Sequence, residues 1–168
     1  ESHVDLYASV RQQYLGKPDG IEHERHVTQI AISGEFEPTM LVRGGEIISL
    51  GDDVTVSVHS IPGHTAGSVA YVIDGQNDVF TGDAVQIHGA ANGFPGYEDP
   101  IAYRSSLEYL RDRVKPNRLY LGHPYRSSAG EPYGVELDAE TAARAIDESI
   151  DIETRISIAA SRHSSLYG

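Results

Sequence analysis

The chain has 168 residues, 39% of them hydrophobic, which suits one domain with a real core and is too little for two. Its 25 acids against 13 bases give a net charge of -12, the wrong sign for nucleic acid as a partner, because a phosphate backbone is bound by clustered Lys and Arg. No window approaches the roughly 18 consecutive apolar residues of a membrane span. Cysteine is absent, so a metal site must be built from His and carboxylates, donors that suit Zn, Fe or Mn.

Along the chain, Val4, Leu6 and Ala8 alternate with Asp5 and Tyr7 as a short strand, and Gln12 to Leu15 is a helical turn before the Gly16 to Gly20 loop. Glu22 to Arg43 gives no clear pattern. Ile47, Ile48 and Leu50 lead into a Gly51-Asp52-Asp53 turn, after which Val54, Val56 and Val58 alternate with polar residues until Pro62-Gly63 stops the strand. Ser68 to Ile73 and Val79 to Thr81 are two strands joined by Asp74-Gly75-Gln76-Asn77, a loop with hairpin chemistry. The Gly- and Ala-rich stretch from His88 to Tyr97 is expected on the surface. Asp99 caps a helix with Pro100 at its first position and Leu107, Leu110 and Val114 along one side. Arg118 to Leu121 adds a strand, and Asp138 opens a long helix reaching about Ala160. Strands interspersed with helices predict one layered α/β domain over residues 1–168.

Three segments carry chemistry: Pro62-Gly63-His64-Thr65-Ala66-Gly67-Ser68, Phe80-Thr81-Gly82-Asp83-Ala84, and Leu121-Gly122-His123-Pro124. In each, an apolar strand ends and one His or Asp follows where the backbone enters a loop, so the three side chains are expected at sheet edges where ligands converge. Two imidazoles and a carboxylate are the residue types that a hydrolytic zinc site needs.

The order and wording of these segments resemble the metallo-β-lactamase superfamily, which includes glyoxalase II and lactonases. The match spans roughly Val4 to His123, with separations of 19 and 40 residues between the three positions. The resemblance implies an αββα sandwich and a two-metal centre, with His64 on the first metal, Asp83 bridging and catalytically essential, and His123 on the second. It also implies a small-molecule substrate containing an ester, lactone, thioester or amide, hydrolysed by metal-activated water. Zinc is the expected metal, with Fe or Mn as alternatives. Asp83, where some β-lactamases carry Cys, resembles the glyoxalase and lactonase branches, and an iron-dependent sulfur dioxygenase uses similar ligands.

The leading H-x-H-x-D-H motif of that family is missing. Ser2-His3-Val4-Asp5 echoes its end, but Glu1 and Leu6 stand where flanking histidines belong. The sandwich is therefore expected to be incomplete at its N-terminus. His64, Asp83 and His123 would leave two metals with two donors each, too few for competent hydrolysis by this chain alone. Three further expectations follow: an exposed apolar face, a tight partner in the form of an N-terminal segment or a second copy of the chain, and a cytoplasmic location. The competing reading is a non-catalytic binding module. Of the other histidines, His88 is taken as an exposed loop residue rather than a substrate contact, and His23, His26, His59 and His163 as ordinary. Tyr97 and Tyr125 either line a pocket or pack.

Overall fold

Alternation of apolar and polar residues requires these strands to present one face to a cover, and the architecture follows from that need. The structure is a computed structural model and describes residues 38–86, 96–124 and 134–164, with side chains as far as Ser161. The strand expected at Val4 to Ala8, the Gln12 to Leu15 turn, the Ser2 to Asp5 echo, and His23, His26, His88 and Tyr125 lie outside the described residues, as does the side chain of His163. The chain divides into units of residues 1–41 and 42–168, and the elements below all belong to the second.

Among the described residues, six strands form one sheet in chain order: β1 (Ile47–Gly51), β2 (Val54–Ser60), β3 (Val69–Ile73), β4 (Asp78–Gly82), β5 (Arg118–Leu121) and β6 (Glu136–Asp138). The first four are antiparallel in succession, β4 and β5 are parallel, and β6 returns antiparallel at the edge. The hairpin between β1 and β2 turns on Asp52 and Asp53, both left-handed at φ 49° and 60°, a conformation that Asp tolerates. A parallel pair needs a long crossover, supplied here by α1 (Pro100–Tyr109) and a following π-helical turn, Leu110–Val114. The second helix, α2, spans Ala139–Ser164.

Strand register sorts the side chains. Val72, Val79, Leu119 and Leu137 are successive cross-strand partners, so they share one face. All four are buried, in one cluster with Tyr103, Leu107, Leu110, Ala142, Ala145 and Ile146 of the helices. On the opposite face, Tyr71, Phe80 and Tyr120 pair in register, and the Phe80 and Tyr120 rings stack with centroids 4.5 Å apart. Tyr71 and Phe80 on that face are 37% and 40% exposed.

Both helices start as the sequence predicts. The Asp99 carboxylate accepts from the Ile101 and Ala102 amides at 2.9 and 3.0 Å, and Asp138 accepts from Thr141 N at 2.8 Å. The π-helical turn ends with Lys115 N–H donating to Leu110 O at 2.8 Å. Asn77, in the β3–β4 turn, donates its amide to Val114 O and Lys115 O at 2.6 and 2.7 Å, tying up carbonyls that the end of a helix leaves unpaired.

Directions now place the site. β2 and β4 are each antiparallel to β3, so they run the same way, and β5 runs with β4. The C-terminal ends of all three therefore lie at one edge of the sheet, and His64, Asp83 and His123 follow those three ends.

Candidate metal site

The loop carrying His64 is closed at its base by Ile61 N–H donating to Ser68 O at 2.9 Å, while Ser68 Oγ accepts from Thr65 N at 3.1 Å. Pro62 O accepts from the buried Ser106 hydroxyl of α1 at 2.7 Å. Gly63 has φ +131°, and a Cβ there would fall 2.2 Å from Tyr103 Cα, so only glycine allows the loop to lie against the helix. The segment before α1 clamps the other side: Glu98 N–H donates to Gly63 O at 2.8 Å, and Glu98 Oε2 accepts from Ala66 N at 3.1 Å. The Pro-Gly-His-Thr-x-Gly-Ser wording thus encodes a rigid mount for one imidazole.

Asp83 follows Gly82, which turns the chain at φ +53°, and Gly122 N–H donates to Gly82 O at 2.9 Å. A Cβ on Gly122 would lie 2.2 Å from Asp83 Oδ1, so the glycine before His123 makes room for the carboxylate. Asp83 Oδ2 lies 3.8 Å from His64 Nε2 and 3.3 Å from His123 Nε2. Both imidazoles therefore address one carboxylate oxygen. Side-chain exposures of 29% for His64, 35% for Asp83 and 51% for His123 leave the group open to a small molecule.

The other nitrogen of His64 is engaged. Nδ1 lies 2.7 Å from Gly96 O, while Nε2 is the nitrogen facing Asp83. Gln86 joins the same network: Nε2 donates to Asp83 O at 2.6 Å, Oε1 accepts from Gly96 N at 2.8 Å, and Nε2 also stands 2.8 Å from His64 Nδ1. Nothing in the motifs singles out Gln86 or Gly96 as functional, whereas Gly122 stands in the Leu121-Gly122-His123-Pro124 segment.

Tyr97 resolves toward packing. Its ring stacks on Tyr103 at 4.7 Å, and burial, with the nearby Glu153 carboxylate, pushes the phenol above its usual pKa. His59 Nδ1 lies 2.7 Å from the Tyr109 hydroxyl. The open groove of about 510 Å³ beside that pair shares no lining residue with the three-residue site.

No family model matches the chain. Among curated proteins, it is 32% identical over 102 residues to a hydroxyacylglutathione hydrolase of Hyphomonas neptunium, covering 61% of this chain and 38% of the relative. It is also 32% identical over 91 residues to a cytoplasmic hydroxyacylglutathione hydrolase of Arabidopsis thaliana, covering 52% and 35%. A metallo-β-lactamase family protein of Thermus thermophilus superimposes with a TM-score of 0.56 at 15% identity, covering 92% of this chain and 46% of that one. The chain is similar in sequence to hydroxyacylglutathione hydrolases over part of their length and shares the metallo-β-lactamase fold. It spans less than two-fifths of the length of these curated relatives.

Within that fold, the donor set can be tested for a metal. Zinc bonds of about 2.0–2.2 Å in a tetrahedral shell put neighbouring donors about 3.3–3.6 Å apart. The His123–Asp83 separation of 3.3 Å fits, and the 3.8 Å of His64–Asp83 is slightly wide. Among the described residues, no three His, Asp or Glu side chains close around a single point as a finished cage. The arrangement is two imidazole–carboxylate pairs sharing Asp83, and its chemistry fits a divalent cation held between neutral nitrogens and an anionic oxygen. No described helix is long and apolar enough to cross a membrane.

Proposed function

We propose that this chain carries the metal-binding edge of a hydrolase acting on a thioester or a related acyl compound, with His64, Asp83 and His123 as metal donors. The observation that carries the reading is the convergence of both imidazole Nε2 atoms on Asp83 Oδ2, beyond the C-terminal ends of β2, β4 and β5. Kinship with hydroxyacylglutathione hydrolases favours thioester over lactone or amide. A zinc ion would supply Lewis acidity toward an acyl oxygen and acidify water at neutral pH.

The side chains divide the remaining work. His64, with Nδ1 engaged by the Gly96 carbonyl and the Gln86 amide, presents Nε2 toward Asp83. Asp83 places negative charge between the two rings and balances the charge of the cation. His123 is the most exposed of the three and faces arriving substrate. These are two imidazole–carboxylate pairs sharing Asp83, and further donors are needed to complete a catalytic shell. Small-molecule substrate, zinc and a cytoplasmic setting belong to this proposal, as does a partner over the sheet face bearing Tyr71 and Phe80, formed by an N-terminal segment or a second copy.

The test is thiol release from a hydroxyacyl thioester by the zinc-supplemented chain when a segment carrying the H-x-H-x-D-H donors is supplied with it. Release that requires zinc and disappears in Asp83→Ala supports the proposal. Zinc binding without any release, over a range of acyl thioesters and esters, would overturn it in favour of a non-catalytic binding module.

A further inference from the structure

We infer that Glu98 is a positioning residue that seats the tip of the His64 loop against the segment ahead of α1. The inference rests on the proposed metal site and deepens it. Bonds inside the loop give it a shape: Thr65 O accepts from Gly63 N at 3.0 Å and from Ser68 N at 3.3 Å, and Ser68 Oγ accepts from Thr65 N at 3.1 Å. Ser106 and the Tyr103 backbone hold its base, at Pro62 and Gly63. Neither set fixes where the tip points. Glu98 does so from outside, with its N–H donating to Gly63 O at 2.8 Å and to His64 O at 3.3 Å, and Oε2 accepting from Ala66 N at 3.1 Å. One residue therefore grips the chain on both sides of His64. Among the described residues, no other hydrogen bond from outside the loop reaches Thr65, Ala66 or Gly67.

Every one of these contacts has its donor and acceptor fixed by chemistry, because an amide N–H only donates and a carbonyl or carboxylate only accepts. Glu98 is itself held from both flanks. The preceding Tyr97 stacks at 4.7 Å on Tyr103, which is 2% exposed, and the following Asp99 caps α1 while its own N–H donates to Gly63 O at 3.1 Å. The backbone of the segment is thus anchored to the core and the helix, and the exposed Glu98 carboxylate reaches across to the loop. A donor side chain on a loop that is already seated gives up less freedom when it takes a ligand than one on a loose loop. Removing the carboxylate bond leaves the backbone bonds in place, so the tip loosens while the fold stays closed.

Two substitutions separate this bond from bulk and from charge. Glu98→Met keeps the length of the side chain without an acceptor oxygen, and Glu98→Gln keeps an acceptor without the charge. The readouts are hydrogen exchange of the Ala66 amide in the metal-free full chain and calorimetric zinc titration, both at about 0.15 M salt to screen distant charge. Glu98→Met should exchange the Ala66 amide about 2–10-fold faster and bind zinc about 2–10-fold more weakly, the net scale of one hydrogen bond. Its melting temperature should stay close to wild type, because Glu98 is exposed. Glu98→Gln should remain near wild type in both readouts. Wild-type exchange or wild-type zinc affinity in Glu98→Met would overturn the inference, and so would equal losses in both variants, which would assign the effect to charge. Failure of wild type to bind zinc would instead defeat the metal site, and the Ala66 exchange would still decide whether Glu98 seats the loop.

Discussion

Gly122→Ala separates the site from the fold. The added Cβ would stand 2.2 Å from Asp83 Oδ1 and 3.0 Å from Gly82 C, whereas real Cβ atoms essentially never approach within 3.0 Å of another group. The carboxylate, as the end of a side chain, must retreat by roughly 0.8 Å or more, the gap between these two distances. Gly122 is not among the left-handed glycines, so its φ does not oppose alanine; the Gly82 backbone at 3.0 and 3.3 Å must give by a few tenths of an ångström, a cost set against the about 0.4–1 kcal/mol that Gly→Ala tends to contribute at a compatible site. A displacement near 1 Å in a reactive constellation costs on the order of 100-fold. The expected result is a melting temperature close to wild type, with zinc affinity lowered by about 10–100-fold, or about 1.4–2.7 kcal/mol. Calorimetric zinc titration beside a thermal melt checks both. Wild-type affinity in the folded variant would refute the reasoning, because it would mean that the position of Asp83 is irrelevant to binding.

Gly63→Ala should do the reverse and damage the fold, by about 3 kcal/mol or more in urea unfolding, since φ +131° and the Tyr103 backbone both oppose a Cβ. Leu119→Ala, at a fully buried position on β5, one strand in from the sheet edge, should cost about 2–5 kcal/mol by the same assay. Amide bonds from Thr141 hold the Asp138 carboxyl below its usual pKa, so its contribution to α2 is present above the ordinary carboxylate range and is lost as pH falls through the lowered value. Asp138→Asn, which can still cap, should flatten that acid-limb loss of helicity in circular dichroism. The face bearing Tyr71 and Phe80 should drive association, so sedimentation is expected to show a dimer or a bound segment, and a compact monomer with no co-purifying peptide would count against a partner.

Much of this architecture was legible because β2, β3 and β4 alternate cleanly and Asp99-Pro100 is a strong helix start. Chain directions followed from those elements, and with them the placement of His64, Asp83 and His123 at one edge. β6 escaped notice because Glu136-Leu137-Asp138 has a single buried apolar residue, too little for a period to show. α2 continues to Ser164, beyond the expected Ala160, because a polar last turn carries no apolar stripe by which to read its end. The π-helical turn was invisible because Leu110 and Val114 suit an α-helical stripe equally well. Gln86 was missed for another reason. Glutamine has no reactivity to mark it, and its role exists only through Asp83 O and Gly96 N, two backbone atoms that composition does not describe.

The central claim is that Asp83 and the two imidazoles facing it form the metal site of this chain. Following the side-chain ¹⁵N resonances of all eight histidines during a zinc titration tests it most directly. The account predicts that His64 and His123 shift at Nε2, that the other six stay in place, and that Asp83→Ala abolishes both shifts. Zinc-induced shifts confined to other histidines, or persisting unchanged in Asp83→Ala, would contradict it.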